Sequence, residues 1–229
     1  MGGRRRVSLH FPNALAVFDL DGTLLRGQTV CEVLAESLGR LERMQQLERF
    51  MSDEELQAAR EEMAGWYRSA GLARLRDSLK DARLAPRAVE GLAVLRAAGV
   101  AIGIASITWS FAVEHFARLL GVEHWLGTVL EGSGEIRHVW PKDKAVWLRR
   151  LAERLRVPSE RTAGVGDSFS DLPMLQAVGV PVFVGCELPS VGLGWIHHPA
   201  GDIYAVATHL VSIWNLSPNS LRPTAFDDG

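Results

Sequence analysis

The chain has 229 residues, 47% of them apolar and 23% charged, and carries a net charge of −2. That length houses one large domain, or a domain with an insertion, around a real core. The near-even charge balance excludes the basic footprint of a nucleic-acid or anionic-membrane binder, and two distant cysteines, Cys31 and Cys186, exclude a disulfide framework and fit a reducing compartment.

No apolar stretch approaches the ~20 residues of a bilayer span. The arginines at Arg4–Arg6 precede an apolar run too short for a signal sequence, so residues 1–13 read as a solvated leader. The cytoplasm is the expected compartment.

Ala14–Phe18 is a nearly continuous apolar run that ends in Asp19-Leu20-Asp21-Gly22-Thr23, the pattern of a fully buried strand with polar residues at its carboxyl end. From Val30 to about Lys80 there is no proline and much Leu, Ala, Glu and Arg, which predicts three or four helices. Within them, Ser52 and Glu55 fit a capping box. Residues 28–83 are therefore assigned to a small helical domain.

After Pro86, helix and strand alternate. A helix is expected over 86–98, with Val89, Leu92 and Leu95 on its buried face, then a strand over 100–105 ending in Ser106. A helix at 111–120 stops at Gly121, and 128–130 with 135–138 forms a hairpin. A helix at 143–155 leads to a strand at 162–165 that ends in Gly166-Asp167. A short helix through Met174, strands at 180–184 and 195–197 and a helix at 203–214 follow, with 216–229 as a loose tail. This alternation predicts an α/β fold: a Rossmann-like, mostly parallel sheet with helices on both faces, built from 14–27 and 84–215.

Such sheets bind ligands where their strands end in carboxyl termini. The residues found there are Asp19, Asp21, Ser106 and Asp167. A carboxylate attacks phosphorus without prior deprotonation at neutral pH, and a second one nearby can protonate the leaving oxygen and then activate water. A phosphoryl dianion is repelled by these acids unless a hard cation such as Mg²⁺ intervenes. Asp171 stands four residues beyond Asp167, placed to orient Asp167, a lysine or a metal-bound water.

The run Phe18–Leu24 resembles the first signature of the haloacid dehalogenase superfamily, the strand ending in Ser106 its second, Lys144 its third and Gly166–Asp171 its fourth. The resemblance covers about 14–184. It implies Asp19 as nucleophile, Asp21 as general acid and base, and Mg²⁺ held by Asp19, the Asp21 carbonyl and Asp167. It places Ser106, Ile107 and Lys144 (with Lys142 as the alternative lysine) on the phosphoryl group, and Asp171 behind them. Asp21 favours phosphoryl chemistry over dehalogenation, and the helical insertion resembles the cap of the phosphoserine phosphatase-like branch.

Two departures bear on the substrate. Ile107-Thr108 stands where that branch has two glycines, and Gln28 falls near a position it fills with an acid. Gln28 and Arg60 are the candidate substrate contacts in the insertion, with Trp66 and Arg68 as looser ones. The expected activity is Mg²⁺-dependent hydrolysis of a small phosphorylated metabolite through an aspartyl-phosphate. Transfer of the same phosphoryl group to another hydroxyl, or a non-catalytic binding role, is the alternative.

Overall fold

The computed structural model describes residues 11–49 and 52–217. Most of the leader and tail therefore lies outside the described residues. The chain opens with β1 (Ala14–Phe18), turns through 19–24 and crosses outward on β2 (Leu25–Arg26). Four helices follow: α1 (Val30–Ser37), α2 (Leu41–Leu47), α3 (Asp53–Ala70) and α4 (Leu72–Ser78). The chain returns on β3 (Arg83–Leu84), which pairs antiparallel with β2. This two-stranded ribbon is the only strand pairing among the described residues outside the main sheet, and it brackets the helical insertion.

The alternating part then runs α5 (Ala88–Ala97), β4 (Val100–Trp109), α6 (Ser110–Leu120), β5 (His124–Leu130), β6 (Ile136–Arg137), α7 (Pro141–Leu155), β7 (Thr162–Gly166), α8 (Leu172–Leu175), β8 (Val180–Phe183), β9 (Ile196–His197) and α9 (Ile203–Ile213). The seven-stranded sheet has the order β6-β5-β4-β1-β7-β8-β9 and is parallel except for β6. The first strand lies at its centre, between β4 and β7, where the order of connection reverses. Asp19 therefore leaves β1 at the switch point, where a crevice opens in such sheets.

The apolar run of β1 is explained by burial on both faces. Ala14, Ala16 and Phe18 join Leu92, Phe116 and Leu210 on one side. Leu15 and Val17 join Leu148, Leu151 and Met174 on the other. In the insertion, Ser52 and Glu55 exchange the expected capping-box hydrogen bonds at the start of α3.

Two expectations are corrected. The first helix after Pro86 begins at Ala88; its buried stripe is Ala88, Gly91, Leu92 and Leu95, and Val89, about 100° around the helix from Ala88, faces solvent at 52% exposure. The strand expected to stop at Ala105 continues to Trp109, because its pairing with β5 slips after Ala105 and resumes at Trp109 opposite Thr128. Ser106 therefore sits inside β4, where the ladder is interrupted.

Gly91 marks a close approach of α5 and α9: a Cβ built there would stand 2.5 Å from the Ile203 carbonyl oxygen. Replacing an exposed helical glycine by alanine stabilises a helix by ~1 kcal/mol. Here the sign reverses. Gly91→Ala is expected to lower stability by ~1–3 kcal/mol through overpacking, read as a lower urea midpoint at an unchanged slope.

Candidate active site

The turn after β1 carries Asp19, fixed by a 2.9 Å hydrogen bond from its backbone N–H to the Val165 carbonyl of β7. Gly22 takes φ +80°, which lets the chain reverse at once. A Cβ on Gly22 would lie 2.1 Å from Asp167 Oδ2, so the absent side chain is the room in which Asp167 sits. Thr23 donates a 2.8 Å hydrogen bond to the other oxygen, Oδ1. One carboxylate oxygen each from Asp19, Asp167 and Asp171 lies within 4.8 Å of the others.

Lys144 is fully buried in the first turn of α7. Its ammonium donates to Asp19 Oδ1 at 2.6 Å and to Asp171 Oδ1 at 2.7 Å. The second oxygen of Asp171 accepts from the backbone N–H groups of Asp167 and Ser168 and from the Ser168 hydroxyl. Four donors thus fill Asp171, which makes it a brace for the loop 167–168. Gly166 permits the arrangement, since a Cβ there would come within 2.5 Å of Asp171 Cβ. Lys142, by contrast, is exposed, and Lys144 is the lysine at the acids.

Electrostatics follow from burial. Asp19 is pushed well above the ordinary carboxylate range by burial and by the charge of Asp171, with Lys144 opposing. Burial works to lower the pKa of Lys144, but the charges of Asp171 and Asp19 outweigh it and hold the ammonium protonated. Asp21, half-buried, accepts a 2.7 Å hydrogen bond from the Val30 backbone. Burial, helped by Glu48, pushes it up to about 7 against that hydrogen bond. A carboxyl at that level can both give and take a proton near neutrality. Burial also raises Asp167, with the Thr23 hydroxyl opposing.

Asp19, Asp21 and Asp167 line a cavity of about 490 Å³, with Lys144 and Asp171 buried behind them. Ser106 and Ile107 line it too, and the Ser106 hydroxyl accepts from the Thr108 N–H at 3.2 Å. The insertion supplies the opposite wall, including Met44, Leu47, Glu48, Leu56 and Met63.

The two candidate substrate contacts in the insertion stand differently from expectation. Gln28 lies outside the cavity lining; it is exposed and its amide donates to Glu36 at 2.8 Å, because Thr29 caps α1 and leaves Gln28 outside the turn. Arg60 does reach the cavity, but its guanidinium is spent on structure. It donates to the carbonyls of Ile107 (2.8 Å) and Val139 (2.9 Å), contacts His138 at 3.1 Å and lies 5.0 Å over the Trp140 ring. Arg60 therefore ties α3 to the sheet end. Trp66 is buried beneath Arg40, and Arg68 donates to the Gly134 carbonyl. Glu48, on the cavity lining, and Thr23, the buried hydroxyl that holds Asp167, are site residues to which the sequence reading gave no role. Thr23 lies inside the first signature, and an acid at the end of α2 was the available signal for Glu48.

A family model described as haloacid dehalogenase-like hydrolase matches residues 16–176. A phosphoserine phosphatase of Mycobacterium tuberculosis is 30% identical over 199 residues, covering 82% of this chain and 48% of that protein. A phosphoglycolate phosphatase of Methanothrix thermoacetophila is 50% identical over 48 residues, covering 21% of this chain and 22% of that protein. The chain thus spans about half the length of one curated relative and about a fifth of the other. A substrate-bound phosphoserine phosphatase superposes with TM-score 0.72 at 17% identity, over 86% of this chain and 97% of that one. A probable phosphoserine phosphatase from Vibrio cholerae gives TM-score 0.65 at 20% identity, over 87% and 67%. At these identities the likeness is one of fold.

Lys144→Met should cost ~3–5 kcal/mol near neutral pH, because it strands two buried carboxylates. Without the ammonium, Asp19 holds its proton to higher pH than the unfolded chain, where an aspartate releases it near ~3.9. The folded variant then binds more protons than the unfolded one, so its stability falls as pH rises from about 4. Urea denaturation at pH 5 and pH 7.5 is expected to show the wild-type-to-variant gap widening at the higher pH.

Proposed function

The chain belongs to the haloacid dehalogenase-like hydrolase family, and on that premise we propose that it hydrolyses a small-molecule phosphomonoester through an aspartyl-phosphate on Asp19. The observation that carries the reading is the placement of Asp19 at the sheet's switch point, with Lys144 gripping one carboxylate oxygen and Asp21 beside it at the cavity.

In the first step a carboxylate oxygen of Asp19 bonds to phosphorus as the ester oxygen leaves, taking a proton from Asp21. In the second, the Asp21 carboxylate takes a proton from a water whose oxygen bonds to phosphorus as the phosphorus–oxygen bond to Asp19 breaks, releasing phosphate and restoring both Asp19 and protonated Asp21. The Ser106 hydroxyl and the Lys144 ammonium answer the negative charge on the phosphoryl oxygens. Lys144 also fixes the rotamer of Asp19, so attack begins from one geometry.

The donor set fits a hard divalent cation, taken here as Mg²⁺. Asp167 is pinned through Oδ1 by Thr23 while Oδ2 lies in the space that a Gly22 side chain would fill. Asp171 is already saturated, so Asp19, Asp167 and the Asp21 carbonyl would hold the ion. Bound there, the cation offsets the repulsion between these acids and the phosphoryl oxygens. Residues 28–83 act as a cap over the cavity in this reading, and the substrate is a small phosphorylated metabolite. No helix among the described residues is long and apolar enough to cross a membrane.

Phosphate release from p-nitrophenyl phosphate with Mg²⁺ is the direct test. Activity should vanish with chelator and fall at least ~1000-fold in Asp19→Asn; undiminished turnover in Asp19→Asn would refute the nucleophile. Asp21→Asn should slow an alkyl phosphate more than the nitrophenyl ester, whose leaving oxygen needs no proton. Gly22→Ala should weaken Mg²⁺ binding at least ~10-fold by calorimetry, by displacing Asp167.

A further inference from the structure

We propose that the cavity selects phosphomonoesters whose leaving group carries a cationic amine on an aliphatic stem, and that Glu48 reads that charge. This rests on the phosphatase reading above and names its substrate class.

The wall contributed by helices α2 and α3 is largely apolar. Met44, Leu47, Leu56 and Met63 give the insertion's side an apolar surface. The charged side chains on the lining are Asp19, Asp21, Asp167, Glu48 and one cation, Arg60. That cation is already committed to the Ile107 and Val139 carbonyls and to His138. A carboxylate on the leaving group would therefore meet thioethers, leucines and a second negative charge, with no free donor cation to repay its desolvation. An alkyl stem loses nothing there, and an ammonium finds Glu48.

The setting of Glu48 points the same way. Its carboxylate accepts a 2.5 Å hydrogen bond from the hydroxyl of Thr29, which lines the cavity beside it. It stands at the C-cap of α2, where a negative charge opposes the helix dipole. No ion pair among the described residues neutralises it. The Thr29 hydroxyl leaves this acid's charge unneutralised and available to a ligand. Cavity volume agrees: about 490 Å³ exceeds what a three-carbon leaving group fills.

The test compares kcat/KM with Mg²⁺ for phosphocholine, for the neutral ester in which a tert-butyl carbon replaces the quaternary nitrogen, and for phosphoserine. Glu48 is exposed at the rim, so screening limits the expected preference for the cation over its neutral isostere to about fivefold. Phosphoserine should be the poorest of the three. Glu48→Gln should bring the cation-to-neutral ratio close to one, and Glu48→Lys should invert it. Ratios within one preparation cancel any loss of folded protein. Equal rates for the isosteric pair, phosphoserine as the best substrate, or an unchanged ratio in Glu48→Gln would overturn the inference while turnover of p-nitrophenyl phosphate leaves the phosphatase reading standing. If p-nitrophenyl phosphate is not hydrolysed either, both fall.

Discussion

A buried ammonium between two buried carboxylates organises everything around it. Lys144 is fully shielded from water, so its charge is tolerable only while Asp19 and Asp171 both face it. That requirement fixes three pieces of chain at once: the end of β1, the first turn of α7 and the loop after β7. Asp171 passes the constraint onward, because its second oxygen holds the N–H groups of Asp167 and Ser168. Asp167 is thereby set against Gly22 and Thr23, back on the first turn. The cluster is a closed circuit, in which each acid is held by a group that another acid has positioned.

Much of this was legible in the sequence because it is written at short range. The apolar run of β1 and its acidic ending occupy six consecutive residues, and Gly166-Asp167 closes β7 in the same manner. Strand–helix alternation then brings strand ends together whatever the loops do. Val89 lies off the buried face because a strict spacing of three drifts around a helix by about 60° per step, which leaves it beside the stripe of Ala88, Gly91, Leu92 and Leu95. The continuation of β4 past Ser106 was invisible because it depends on a register slip against β5. Contacts across the insertion were the least legible. Arg60 and Gln28 have side chains suited to a ligand, and only the packing of α3 on the sheet end and the capping of α1 by Thr29 show what each one meets.

Local rules are broken where the chemistry lies. A lysine in the first turn of a helix works against the dipole, and so does a glutamate at a helix end. Lys144 is compensated by two acids; Glu48 has no such compensation from the described residues. Both face the same cavity or the acids beneath it. Neither charge is one that its own helix favours at that position, which is what sites under functional constraint look like in a sequence otherwise consistent with its structure.

The role proposed for Asp19, as the group that takes phosphorus, is open to direct observation. The Asp21→Asn variant, impaired in activating water, should accumulate the covalent species when mixed with substrate and Mg²⁺ and quenched in acid. Mass spectrometry of the digested protein is expected to find the phosphoryl group on Asp19, disappearing when Asp19 is also changed to Asn. Substrate consumption with no adduct on that peptide, or an adduct on another residue, would contradict the account.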